Sequence, residues 1–135
     1  MKDNKTVLII DDEPFFMSAI KERLEYLNIN TVQTTTIKRA EDYILLNHDK
    51  IDLILIDLMI PYGRGHFLDM IKYDPPGKRI LELLDSLKFP SNKYLIYSAK
   101  HDDKVLAYCE EIGVLYISKA EKNDGEKLDS IFKNL

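Results

Sequence analysis

With 135 residues, 45% of them hydrophobic, the chain is long enough to bury one sizeable core and leaves nothing over for a second, so a single domain over 1–135 without an output domain is expected. A net charge of −4 with no basic cluster excludes the phosphate-neutralising surface that direct DNA or RNA binding requires. The first apolar run, Val7 to Ile10, is too short for a signal peptide or membrane span, which makes a cytoplasmic protein the expectation, and the lone Cys109 allows no internal disulfide.

Val7 to Ile10 is followed directly by Asp11, Asp12, Glu13 and Pro14, so a first strand buried on both faces ends in carboxylates. Pro14 suits a first helical turn, and Phe16, Ile20, Leu24 and Leu27 then form one apolar stripe of a helix reaching about Leu27. Thr31 to Thr35 is short and β-branched, as an edge strand would be, and Ile37 to Leu46 reads as a helix with Ile37, Ala40 and Ile44 inward. Leu53 to Ile56 are too few for a helix and lack polar alternation, which predicts a buried parallel strand ending at Asp57. From Leu58 to Pro76 the pattern breaks down around Pro61, Gly63, Gly65 and Pro75-Pro76, with one helical turn expected at Phe67 to Ile71. Ile80, Leu83, Leu84 and Leu87 mark an amphipathic helix with Gly77 near its start, and Tyr94 to Tyr97 a fourth strand ending at Ser98-Ala99. Val105, Cys109 and Ile112 give the next helix, Gly113 its stop, and Val114 to Ile117 a fifth strand ending at Ser118-Lys119. Leu128, Ile131, Phe132 and Leu135 make a last helix.

Five strands alternating with five helices call for a parallel α/β sheet wound on both faces, because right-handed crossovers send the helices there. In such sheets ligands bind beyond the carboxyl ends of the strands. Asp11, Asp12, Asp57, Ser98 and Lys119 all fall at such ends and converge if the first, third, fourth and fifth strands are neighbours. Each residue alone has an ordinary explanation: Asp ends strands, Ser caps helices, Lys faces solvent. Together they make a phosphoryl-transfer site, with carboxylates for a hard cation such as Mg²⁺, one carboxylate as nucleophile, and a hydroxyl and an ammonium for phosphoryl oxygens.

Four stretches in this order carry a resemblance: Val7-Leu8-Ile9-Ile10-Asp11-Asp12-Glu13-Pro14, Leu55-Ile56-Asp57-Leu58-Met59-Ile60-Pro61, Tyr97-Ser98-Ala99 and Tyr116-Ile117-Ser118-Lys119. The chain resembles the receiver domain of two-component response regulators, of the stand-alone type with a long loop after the phosphoacceptor. The resemblance implies a doubly wound, flavodoxin-like five-stranded sheet of order 2-1-3-4-5, and Asp57 accepting a phosphoryl group from a sensor histidine kinase or phosphotransfer protein. It further implies that Asp12, Asp57 and the main-chain carbonyl of Met59 ligate Mg²⁺, that Asp11 acts through a water, and that Ser98 and Lys119 hold phosphoryl oxygens. Tyr116 would turn inward when Ser98 moves. Output would leave through contact with a downstream protein at the face of the fourth helix, fifth strand and fifth helix, where Tyr108 and Tyr116 should meet. Such a protein is a monomer or weak dimer, and it is no enzyme beyond promoting its own phosphoryl transfer and aspartyl-phosphate hydrolysis.

Two departures stand out. Ala120 follows the lysine where the family usually has proline, which puts the placement of Lys119 in question. The stretch from Asp57 to Ser98 exceeds the usual pattern by roughly ten residues, an insertion at about 62–76 that would form either a lid or docking surface carrying Tyr62, Arg64, His66 and Phe67 or an inert surface excursion. A haloacid dehalogenase-type phosphohydrolase needs a second aspartate where Met59 stands, and no Gly-rich loop with Lys and Ser/Thr follows the first strand to bind a nucleotide. The competing reading is a receiver-like interaction module that signals without phosphorylation, which Ala120 favours.

Overall fold

The computed structural model describes residues 4–63 and 75–135, the side chain of Phe16 excepted. Among them the strands are β1 (Thr6–Ile10), β2 (Asn30–Thr34), β3 (Leu53–Ile56), β4 (Tyr94–Ser98) and β5 (Leu115–Ser118). The α-helices are α1 (Pro14–Tyr26), α2 (Ile37–Asn47), α3 (Lys78–Ser86), α4 (Asp103–Ile112) and α5 (Asp124–Lys133). The strands form one sheet of order β2-β1-β3-β4-β5, and every neighbouring pair is parallel.

Period-two alternation along the strands sorts the core into two layers. Leu8, Ile10, Ile54, Ile56, Tyr94 and Ile96 pack against Ile37, Ala40 and Ile44 of α2, Ile80, Leu81 and Leu84 of α3, and Val105 and Cys109 of α4. Val7, Ile9, Leu53, Leu55, Leu95, Tyr97 and Ile117 face Met17, Ile20 and Leu24 of α1 and Leu128 and Phe132 of α5. Met17 joins the stripe of α1 although the spacing argument passed over it. Both faces of β1, β3 and β4 are therefore covered, which is why those strands read as unbroken apolar runs.

Helix ends follow local chemistry. Thr36 caps α2 by accepting the Arg39 N–H, and Asp102 caps α4 by accepting that of Val105. Gly113, at φ +78°, ends α4 in the left-handed conformation that side chains resist. Strand β5 starts and stops one residue later than its apolar pattern suggested, because Val114 is buried in the loop and Leu115 lies exposed on the sheet edge.

The expected helical turn at 67–71 lies outside the described residues, as do Arg64, His66 and Phe67. Tyr62 is no surface residue: it is 4% exposed and packs in the core beside Ile60. The carbonyls of Pro61 and Tyr62 accept the N–H groups of Ile37 and Lys38 at 2.8 and 3.0 Å. These bonds satisfy donors that the first turn of any helix leaves free, and they stitch the loop after β3 to the start of α2.

Candidate functional site

The sheet's hydrogen bonds continue one residue past the strands and hold the site residues at their tips. The Asp11 N–H donates to Thr34 O at 3.1 Å, that of Asp57 to Ile10 O at 2.9 Å, and that of Lys119 to Ser98 O at 3.0 Å. Parallel register does the rest: Ile10 lies beside Ile56, and Ser98 beside Ser118. Asp11, Asp57 and Ser98 are buried, and Asp12 is exposed at the mouth.

The Ser98 hydroxyl donates to Asp57 Oδ1 at 2.7 Å, and the Met59 N–H donates to the same oxygen at 3.2 Å. Asp57 Oδ2 faces Lys119 Nζ at 3.7 Å, while that ammonium lies closest to Asp11 Oδ2, at 2.6 Å. Asp11 Oδ1 accepts the Glu13 N–H at 2.8 Å, and the Gln33 side-chain amide donates to the Asp11 carbonyl at 2.9 Å. Burial raises the Asp11 pKa above the ordinary carboxylate value, the charge of Asp57 adds to the rise, and hydrogen bonds from Lys119 and Glu13 counter it.

Asp11, Asp12 and Asp57 each offer a carboxylate oxygen, and these oxygens lie within 4.8 Å of one another. An all-oxygen donor set with one ligand open to solvent fits a hard divalent cation that retains waters. The Lys119 placement that Ala120 put in question is firm, with the side chain only 5% exposed and turned into the pocket.

Ser98 needs no inward movement to reach Asp57, since its hydroxyl is already bonded there. Its oxygen also accepts the Lys100 N–H at 3.2 Å, and the Tyr116 hydroxyl donates to the Lys100 carbonyl. Tyr108 packs against the same core layer as Tyr116, yet its hydroxyl turns to Asp85 of α3, at 3.3 Å.

Gly77, read from the sequence only as lying near the start of the helix, is the cap residue of α3 and reaches the site. A Cβ there would meet Asp57 O and Leu58 Cα, each at 2.7 Å, so α3 begins directly against the backbone of Asp57. Glycine is an unremarked choice at a helix start, and no local signal distinguishes it. Gln33 was equally silent within an edge strand.

A parallel doubly wound domain with an acidic pocket at its strand tips defines a class, and its members are found by comparison. The chain belongs to the response regulator receiver domain family, whose sequence model matches residues 7–128. Among solved structures, a CheY-like receiver domain protein from Methanospirillum hungatei superposes with a TM-score of 0.73 at 21% identity, covering 98% of this chain and 94% of that one. The signal receiver domain of a LuxO repressor protein from Vibrio parahaemolyticus gives 0.71 at 17% identity, covering 97% and 92%. A phosphorylated cyanobacterial phytochrome response regulator, RcpA, gives 0.68 at 19% identity, covering 98% and 91%. At these identities the likeness is one of fold. No curated protein matches the sequence.

Proposed function

We propose that the domain is a phosphorylation-dependent switch of a two-component phosphorelay, in which Asp57 takes a phosphoryl group from a phosphohistidine on a sensor kinase or phosphotransfer protein. An Asp57 oxygen forms the new P–O bond as the P–N bond breaks, and the electron pair leaves with the imidazole nitrogen, which picks up a proton. Oδ1 already accepts two hydrogen bonds, so Oδ2, which among the described residues faces the longer contact to Lys119, is the better nucleophile. Asp12, Asp57 and the Met59 carbonyl would hold Mg²⁺ directly and Asp11 through a water; the ion, when bound, neutralises charge on the phosphoryl oxygens. Ser98 and Lys119 each hold one of those oxygens, and the domain promotes only its own phosphoryl transfer and the hydrolysis of its aspartyl phosphate in this reading. The setting is cytoplasmic and the chain a monomer or weak dimer; among the described residues no helix is long and apolar enough to cross a membrane.

The observation that carries this reading is the contact of Asp57 with both Ser98 and Lys119, at 2.7 and 3.7 Å, within one acidic cluster. It weighs against a module that signals without phosphorylation, since Ala120 leaves Lys119 inside the pocket. Output runs from Ser98 through the Lys100 peptide to Tyr116, because Ser98 holds that residue's N–H and Tyr116 its carbonyl. A new phosphoryl group competing for the Ser98 hydroxyl then shifts the Lys100 loop and with it Tyr116, on the face of α4, β5 and α5 that a downstream protein reads. Incubation with acetyl phosphate and Mg²⁺, followed by intact mass, tests the proposal: wild type gains one phosphoryl group and Asp57→Asn gains none. Equal labelling of the two proteins refutes it.

A further inference from the structure

We propose that Tyr97 is a positioning residue for Lys119, acting as a floor under the ammonium that is anchored to α5 through Asp124. This inference rests on the phosphoacceptor reading above and adds a residue to its machinery. The Lys119 ammonium stands 5.5 Å from the centroid of the Tyr97 ring, within the range where a cation is drawn to an aromatic face. Tyr97 is only 5% exposed, so the attraction acts in a poorly hydrated place where it is strongest.

The ring is itself held. The Tyr97 hydroxyl donates to Asp124 Oδ2 at 2.6 Å, and Asp124 Oδ1 accepts the Gly125 N–H at 2.7 Å. Asp124 lies in the first turn of α5, where a carboxylate is favoured by the helix dipole. Giving its proton's hydrogen bond to a carboxylate makes the phenol ring richer in electrons, which deepens its attraction for a cation. Burial and the Asp124 carboxylate together push the Tyr97 hydroxyl well above the ordinary tyrosine pKa, so the ring stays a neutral donor.

The arrangement has a second consequence. Lys119 and Asp124 are the two ends of the loop joining β5 to α5, and one side chain from β4 touches both. Tyr97 therefore fixes the span of that loop from below. It also offers a surface over which the ammonium can pass from Asp11 Oδ2, at 2.6 Å, towards Asp57 Oδ2, at 3.7 Å, without leaving a stabilising contact. A leucine would fill part of the same core space but remove the aromatic face beneath the ammonium, leaving its contacts with Asp11 and Asp57 in place.

Two readouts test the proposal. The first is the rate of phosphoryl transfer from acetyl phosphate in saturating Mg²⁺, with thermal melts of each variant. Tyr97→Leu is expected to slow transfer about tenfold, and Tyr97→Phe and Asp124→Ala, which keep the ring but free it, about threefold. Asp124→Asn, which retains an acceptor oxygen for the hydroxyl, restores most of the rate, an outcome that a merely structural role for α5 would not produce. The second readout does not depend on phosphorylation: the ring current of Tyr97 shifts the Lys119 Cε protons upfield, a shift kept in Tyr97→Phe and lost in Tyr97→Leu. If Tyr97→Leu does not fold, the Phe, Ala and Asn variants still decide the matter. Wild-type rates in Tyr97→Phe and Asp124→Ala, or a Lys119 shift indifferent to the ring, overturn the proposal. A wild-type protein that takes no phosphoryl group while showing the ring-current shift overturns the phosphoacceptor reading instead and leaves the Tyr97 contact standing.

Discussion

Replacing Gly77 with alanine puts one methyl group where the structure has no room. Its carbon would lie 2.7 Å from Asp57 O, 2.7 Å from Leu58 Cα and 3.2 Å from Leu58 C, all backbone atoms that no rotamer change can move aside. The Gly77 N–H donates to Leu58 O at 2.8 Å, so α3 cannot retreat without breaking that bond. Overpacking of this kind costs about 1–3 kcal/mol. Against it stands the smaller entropy of an unfolded chain with alanine, about 0.4–1 kcal/mol, because the φ of −59° at Gly77 is one alanine adopts freely. The mid-values leave a net loss of about 1.3 kcal/mol, or a fall of about 4–6 °C in melting temperature for a domain of this size. Relief comes only by pushing Asp57 and Leu58 away, which lengthens the 2.7 Å Ser98–Asp57 bond and slows phosphoryl transfer. Gly125 is the control: a Cβ there meets nothing within 4 Å, and Gly125→Ala should be neutral or slightly stabilising. Thermal and urea unfolding of the two variants beside wild type makes the measurement. A Gly77→Ala protein that melts with or above wild type shows that the close approach of α3 to Asp57 is not a constraint.

Removing Asp12 should weaken Mg²⁺ binding and phosphorylation and, without metal, raise stability by about 0.5 kcal/mol, since the three acidic side chains repel one another; calorimetric titration and melts in chelator check both, and an Asp12→Ala protein less stable in chelator refutes the repulsion argument. The Arg23 side chain, ahead of Lys133, holds the Asp129 pKa down to about 2. That carboxylate is thus the stronger acid in the folded state, and the stability it lends is present above the ordinary pKa of 3.8 and lost as pH falls towards about 2. Acid titration followed by circular dichroism should show Asp129→Asn losing less stability over that window than wild type. Burial first, and then Asp85, lift the Tyr108 hydroxyl to about 12, so the folded state keeps a proton that the unfolded chain gives up from 10 onward. Stability then falls as pH rises from 10 to about 12, and Tyr108→Phe should flatten the decline in alkaline melts.

What could be read from the sequence was whatever depends on a residue and its near neighbours. The runs Val7 to Ile10 and Leu53 to Ile56 lie between two helical layers, so burial on both faces wrote itself as unbroken apolar sequence. Because parallel strands align their carboxyl ends, locating those runs together with Tyr94 to Tyr97 and Val114 to Ile117 also located Asp11, Asp57, Ser98 and Lys119 along one edge. Contacts made across the fold left no such trace. Tyr62 looks like a polar loop residue, yet the bonds between its loop and the first turn of α2 draw it into the core. Gly77 is required by the passage of the Asp57 backbone beside it, a fact of three dimensions that no neighbouring residue records. Tyr97 read as an ordinary strand aromatic because its partners, Lys119 and Asp124, come from another strand and another helix.

The alanine after Lys119 shows how such a site tolerates a change at one of its supports. A proline at that position would constrain the chain through its ring and would have no N–H to donate. Ala120 uses its N–H, giving it to the Ser118 hydroxyl at 3.1 Å, while the Glu121 N–H donates to the Ser118 carbonyl at 3.1 Å. Ser118 is itself paired with Ser98 across the parallel ladder, so this turn hangs from the strand that carries the site's hydroxyl. Lys119 lies between these supports with its own N–H on Ser98 O. Each such bond contributes about 1 kcal/mol, so the loop is restrained at three points. Restraint by hydrogen bonds differs from restraint by a ring in that it can be released and remade. Ser98, whose hydroxyl is bonded to Asp57 and whose carbonyl accepts the Lys119 N–H, thereby ties the start of the loop from β5 to α5 to the floor of the acidic pocket.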